Sequence, residues 1–337
     1  MVRLVLVAAL ALAGVLVPRA AEGSPLLDVV KRIYNGQYVP DSEAPYAVSV
    51  YKWKPDGNGG ICGGTLISDR HVVTAAHCLT SVDDPFKDTF TVKVGYNSQY
   101  RDKQTQVKAT KVTIHSDYGA NNDDKYDIAI LEIPAIKFGQ NAQRMLIDNG
   151  KLDENQPLLA VGWGRTESDN GLPNRLKKAT IIIGSPGDCK KFKSEFDTSN
   201  GPRVCALKKL TPGKGICMGD SGSGVSVDRG GTQYFAGLGS RIVFFGGSAC
   251  GSADSASFFV HIASQLDFIT RTTGLTREYL LGSGSKAPPP DPSSDDDSDS
   301  APPDPPHSDD APKPSPHANK DVATVTKTVY LIIPCQT

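Results

Sequence analysis

From residue 33 to about residue 271 the chain runs in short stretches of apolar and β-branched residues, several alternating with polar ones, broken by Gly, Asp, Asn and Pro. The clearest are Ala47-Val48-Ser49-Val50-Tyr51, His71-Val72-Val73, Thr89-Phe90-Thr91-Val92-Lys93-Val94, Ile128-Ala129-Ile130-Leu131 and Ala179-Thr180-Ile181-Ile182-Ile183. Such runs read as strands, and many short strands separated by turn residues predict an all-β sandwich or barrel. One late segment has a different period. Phe259, Ile262, Leu266, Phe268 and Ile269 fall on one face of a predicted helix over 260–272.

The two ends break this pattern. Leu4 to Val17 is an unbroken apolar run of fourteen residues after Arg3, followed by Pro18-Arg19-Ala20-Ala21-Glu22-Gly23. A membrane-spanning helix needs about 20 apolar residues, so the run is expected to be a secretory signal peptide over 1–23, cut before Ser24 or after Ala20. Residues 24–32 end in the basic pair Lys31-Arg32. At the other end, residues 282–320 hold 11 Pro, 8 Ser and 8 Asp and no Leu, Ile, Val or aromatic residue. Such a segment buries too little surface to offset chain entropy, so 282–337 is expected to be a disordered tail. The apolar closing stretch 322–337 is short for a lipid-anchor signal and is broken by Lys327.

Charge and cysteine content narrow the function. Lys and Arg number 36 against 37 acids, which gives no reason to expect nucleic acid as a partner. The balance hides a tail at −5 (4 Lys, 9 Asp) behind a remainder at +4. With 33 Gly, 24 Pro and 39% hydrophobic residues, collagen, coiled coil and polytopic membrane protein are excluded. A secreted chain permits disulfides, and six of the seven cysteines lie before residue 281, with Cys335 alone in the tail. No CxxC pair and no Asn-x-Ser/Thr sequon occurs, which disfavours a redox dithiol, a cysteine-rich zinc site and N-glycans. No cofactor or metal is implied.

Three separated motifs carry chemistry. His77 stands in Thr74-Ala75-Ala76-His77-Cys78, Asp127 opens the apolar run Asp127-Ile128-Ala129-Ile130-Leu131, and Ser221 sits in Gly219-Asp220-Ser221-Gly222-Ser223-Gly224. A serine hydroxyl needs a base to become a nucleophile, and the base needs an acid to hold its tautomer. Taken singly, each residue is a surface acid, a structural histidine or a turn serine. An esterase built on Gly-x-Ser-x-Gly is disfavoured, because Ser223 replaces the second glycine and the chain order is wrong.

From Ile33 to about residue 272 the chain resembles the trypsin/chymotrypsin family of serine endopeptidases. The resemblance rests on Arg32-Ile33-Tyr34-Asn35-Gly36, Cys62-Gly63-Gly64-Thr65-Leu66-Ile67 and Gly162-Trp163-Gly164, together with the three motifs above. It implies two six-stranded antiparallel Greek-key barrels with a C-terminal helix, within a protease domain over 33–281. By resemblance, Ser221 is the nucleophile, His77 the general acid/base and Asp127 its orienting acid. The amides of Gly219 and Ser221 form the oxyanion hole. Cleavage after Arg32 by an activating protease frees an Ile33 ammonium to pair with Asp220. The implied disulfides are Cys62–Cys78, Cys189–Cys205 and Cys217–Cys250. Protein or peptide substrates, a monomer and an extracellular location are expected.

Two departures bear on that pattern. Ser223-Gly224 stands where the family has glycine and proline, which removes no reacting group. At the position that forms the primary-pocket floor by resemblance stands Gly215, flanked by Lys214 and Ile216, and Ser240-Arg241-Ile242 replaces the usual wall. A pocket without a carboxylate at Gly215 is expected to take uncharged, apolar or aromatic residues. Asp254 is the counter-candidate that would turn the preference to Lys and Arg. The rival to a protease is an impaired homologue that serves as a binding protein or inhibitor; such a homologue would be expected to have lost a member of the triad.

Overall fold

The computed structural model describes residues 36–40, 43–54, 59–80, 89–94, 105–119, 124–165, 175–245, 250 and 252–283. The expected signal peptide, the 24–32 segment, Ile33, the tail from residue 284 and Cys335 lie outside these residues.

The strands are β1 (Gln37–Tyr38), β2 (Ala47–Trp53), β3 (Gly59–Leu66), β4 (His71–Thr74), β5 (Thr89–Val94), β6 (Thr105–Lys108), β7 (Lys111–Ile114), β8 (Ala129–Glu132), β9 (Pro157–Gly162), β10 (Lys177–Ile182), β11 (Arg203–Leu207), β12 (Gly224–Arg229), β13 (Thr232–Phe244) and β14 (Ser255–His261). They form two antiparallel sheets, ordered β6-β5-β2-β3-β4-β8-β7 and β1-β10-β9-β12-β13-β14-β11. Each sheet has seven strands rather than the expected six, for different reasons.

In the first sheet, β6 pairs with β5 at one edge and β7 pairs with β8 at the other. Only Ala109 and Thr110 separate them, and their amides bond to Phe90 and Glu132 respectively. One bent stretch, Thr105–Ile114, therefore links the two edges and closes the sheet on itself, which leaves no free edge to aggregate. In the second sheet the extra strand is the two-residue β1, laid on β10 with Tyr38 opposite Lys177.

Burial follows the sequence pattern. Along β5, Phe90, Val92 and Val94 point inward while Thr89, Thr91 and Lys93 are less buried, the period-two signature of a half-covered strand. Val48, Leu66, Val73 and Ile130 of the first sheet join Phe235, Leu238 and Val260 of the second in one continuous core. Each such side chain contributes about 1.5–3 kcal/mol through burial.

The predicted helix over 260–272 begins later than its apolar spacing suggests. Phe259 belongs to β14, which is buried along its whole length because its side chains pack into hydrophobic clusters on both faces, Ala256 and Phe258 in one and Phe259 and Val260 in others. A 3-10 turn covers Ile262–Gln265, and the α-helix proper runs Leu266–Thr273, ending on Gly274 at φ 70°. A fully buried strand has no polar alternation, so its apolar run merged with the helical pattern. The other helices are short: Ala76–Leu79, Pro186–Phe192 and Arg277–Leu281.

Candidate active site

The three chemically suggestive residues come from three separate places. His77 lies in the turn of helix that follows β4, Asp127 lies two residues before β8, and Ser221 sits in the loop entering β12. Since β4 and β8 are paired, with Thr74 opposite Ala129, the sheet itself brings His77 beside Asp127. Ser221 is held from the first sheet, because its carbonyl accepts the Gly63 amide of β3 at 2.8 Å. The Cys62–Cys78 disulfide ties β3 to the His77 turn, closing a separation of 16 residues.

Asp127 is almost completely committed. Its Oδ1 accepts the His77 backbone amide at 2.9 Å, and its Oδ2 meets His77 Nδ1 at 2.7 Å. The Ser240 hydroxyl donates to the same Oδ2 at 2.5 Å. The acid side chain is 4% exposed and the imidazole 34% exposed, so the ring faces the cleft while the carboxylate is sealed. Burial opposes ionisation of Asp127, but the charge and hydrogen bonds of His77, with that of Ser240, outweigh it and hold the carboxyl below its usual value. Burial likewise opposes the imidazolium of His77; the Asp127 charge and hydrogen bond prevail and raise its pKa, with Arg241 acting against them.

An Nδ1 engaged by a carboxylate leaves Nε2 as the proton-accepting nitrogen. Ser221 lines the same cleft, together with Ile61, Lys52 and the Cys62–Cys78 bridge. Among the described residues no hydrogen bond joins the Ser221 hydroxyl to the ring, and sites without substrate often hold this pair loosely. The amides of Gly219 and Ser221 have no acceptor among the described residues. Cys62, Cys78 and His77 gather their ligand-type atoms within 4.8 Å. The two sulfurs are bonded to each other, however, and zinc binds cysteine as thiolate.

Next to the serine, Asp220 is wholly buried. Its Oδ1 accepts Gly164 N at 2.7 Å and its Oδ2 accepts Cys217 N at 2.8 Å. Burial drives its pKa up to about 7, against those two hydrogen bonds and the charge of Lys208. The carboxylate explains the motif Gly162-Trp163-Gly164: a Cβ on either glycine would collide with it.

This arrangement is matched in known proteins. The Trypsin family model matches residues 33–269. The chain belongs to the trypsin family. It is a chymotrypsin-like serine endopeptidase of two antiparallel β-units. Trypsin 5G1 of Aedes aegypti is 29% identical over 247 residues, covering 72% of this chain and 86% of that protein. Spermosin of Halocynthia roretzi is 30% identical over 247 residues, covering 69% and 61%. A solved collagenase superposes with a TM-score of 0.60 at 22% identity, over 72% of this chain and 99% of that one, and shares its fold.

The other residues singled out in this trypsin-family chain are placed as follows. Ser240, expected at the pocket wall, has its hydroxyl on Asp127. Asp254 is exposed, its backbone bonded to Phe245 and Ser252. Lys214, expected to add charge beside Gly215, is exposed as well. The cation that does approach Gly215 is Lys208, and no sequence signal pointed to it. Ser223 occupies a buried position that only the missing side chain of Gly63 leaves open. The remaining disulfides are Cys189–Cys205 and Cys217–Cys250.

Proposed function

We propose that the protein is a secreted serine endopeptidase that acts through His77, Asp127 and Ser221 and is made as a zymogen. The observation that carries the reading is the Asp127–His77 pair, with Ser221 on the same cleft. In this mechanism Nε2 of His77 removes the Ser221 proton as Oγ attacks the substrate carbonyl. The Gly219 and Ser221 amides stabilise the oxyanion. The imidazolium then protonates the departing amine, and water repeats the sequence on the acyl-enzyme.

The proposed domain plan is a signal peptide over 1–23, an activation segment over 24–32, the protease over 33–281 and a tail over 282–337. Cleavage after Arg32 creates an ammonium at Ile33. Asp220 is its natural counter-ion, since a buried carboxylate held only by two backbone amides gains from a cation. The zymogen reading is supported by the Lys31-Arg32 pair before the apolar Ile33.

Processing the chain after Arg32 and measuring peptide hydrolysis tests this reading. The Ser221→Ala protein is expected to fold and to lose amide hydrolysis, and wild type to be labelled at Ser221 by a fluorophosphonate. Turnover by processed Ser221→Ala at the wild-type rate, or active enzyme beginning at Ser24, would defeat it.

A further inference from the structure

Lys208 opens the 3-10 turn that follows β11, and it is 2% exposed. Its ammonium donates to the carbonyl of Ile216 at 3.1 Å, its one hydrogen bond among the described residues. The end of the side chain runs against Gly215. A Cβ built on Gly215 would fall on Nζ, Cε and Cδ of Lys208, and the glycine has φ 148°, which other residues rarely adopt. The ammonium therefore occupies the space that a side chain at position 215 would fill. A lysine can present three N–H donors, so two remain for something else.

Charge bookkeeping points the same way. Asp220 is the acid whose field reaches Lys208. In the unprocessed chain an ionised Asp220 and Lys208 form one buried negative and one buried positive charge. Once an Ile33 ammonium takes Asp220, a buried cation is left over, and an uncompensated buried charge is costly. A carboxylate arriving with the substrate restores neutrality. The amine is pushed down by burial to about 8, so it still carries its charge at neutral pH.

We infer that Lys208 is the specificity-determining residue of the primary pocket and that the protease cleaves after aspartate and glutamate. This rests on the proposed role of Gly215 as the pocket floor. It replaces the apolar preference expected from Gly215 alone: the missing carboxylate still turns away Lys and Arg, but the space is cationic rather than neutral. Asp254, exposed and bonded through its backbone, does not counter that charge.

The test uses binding as well as turnover. On processed Ser221→Ala protein, product-like peptides ending in Glu or Gln are compared by calorimetry. A control peptide has the Glu moved one residue inward. The Glu-ended peptide is expected to bind about ten- to a hundredfold more tightly than either, the range of a charge-assisted hydrogen bond. Wild-type cleavage of a peptide library is expected to show the same preference. Lys208→Met and Lys208→Gln should abolish it while the fluorophosphonate still labels Ser221. Equal or weaker binding of the Glu-ended peptide by protein carrying Lys208 overturns the inference, whether or not either variant folds. Preferential Glu binding with an unlabelled Ser221 would instead leave Lys208 as the determinant of what the pocket binds and remove the catalytic reading, cleavage after acids included.

Discussion

The Ser240 hydroxyl and the His77 imidazole converge on one oxygen of Asp127, at 2.5 and 2.7 Å. Ser240 belongs to β13 of the second sheet and His77 to the turn of helix that follows β4 of the first, so the carboxylate is gripped from both halves of the molecule. The carboxylate thereby spreads its charge over two side-chain donors and one backbone amide.

Ser240→Ala should leave the acid more basic and its pull on the imidazolium stronger. A base acts only when unprotonated, so a higher His77 pKa moves the acid limb of the kcat/KM profile to higher pH. Wild type should already lose activity at a pH above the usual histidine value, because His77 is raised. The loss at the optimum is expected to be about tenfold, typical of a hydrogen bond to a charged group. A pH–rate profile unchanged from wild type would contradict this.

Asp127→Asn should be far more damaging. Without the charge, His77 loses what offsets its burial, and its ring can take the wrong tautomer. Turnover is expected to fall by about 10⁴, with the acid limb displaced to lower pH. Steady-state kinetics on the processed variant, with circular dichroism as the fold control, checks both effects.

Asp220 should act oppositely on stability before and after processing. In the uncleaved chain its pKa is about 7, well above the unfolded value, so the folded state favours the protonated acid. That favourable contribution is present at low pH and is lost as pH rises from about 4 through 7. Asp220→Asn in uncleaved Ser221→Ala protein should therefore gain stability relative to its parent between pH 5.5 and 8.5. After cleavage the ammonium reverses the balance and the same substitution should destabilise. Urea unfolding at the two pH values measures the difference.

Asp124 makes a separate claim on stability. Its Oδ1 accepts Arg203 Nε at 2.6 Å, and Lys193 and Arg241 lie within 3.3 and 3.5 Å of its oxygens. Arg203 and Asp124 are both buried, at 8% and 6%, so removing one partner strands a buried charge. Asp124→Ala is expected to cost about 3–5 kcal/mol. A loss of unfolding free energy under about 1 kcal/mol, measured in urea, would mean that the cluster is better solvated than its burial implies.

Much of this was legible along the chain because it is written locally. Alternation over Thr89–Val94 and the β-branched run over Ala179–Ile183 mark strands, and the blocks around His77, Asp127 and Ser221 mark residues that the fold brings to one cleft. What escaped was contact between distant residues. The six residues between Lys208 and Gly215 give no hint that the ammonium fills the missing side chain. Ser240 follows Asp127 by 113 residues and meets it only because β13 is brought across. The bend at Ala109 and Thr110 was equally silent, since two ordinary residues join strands at opposite edges of one sheet. The helix start is hidden for the converse reason: a strand covered on both sides looks locally like a buried helix.

The smallest strand has the longest reach. Tyr38 of β1 lies opposite Lys177, which lies opposite Gly162, the glycine that abuts Asp220. Two strand spacings, about 10 Å, thus separate Tyr38 from the residue beside the buried acid. Five residues of chain lead back to Ile33, with an extended reach of roughly 17 Å. A freshly cut amine on so short a leash searches a volume of a few cubic nanometres, which corresponds to millimolar or higher effective concentrations. Capture by Asp220 would then be a unimolecular event, complete within the molecule that was cut. Its rate would not change with dilution, and a free isoleucine-headed peptide would have to be added at comparable concentrations to take its place.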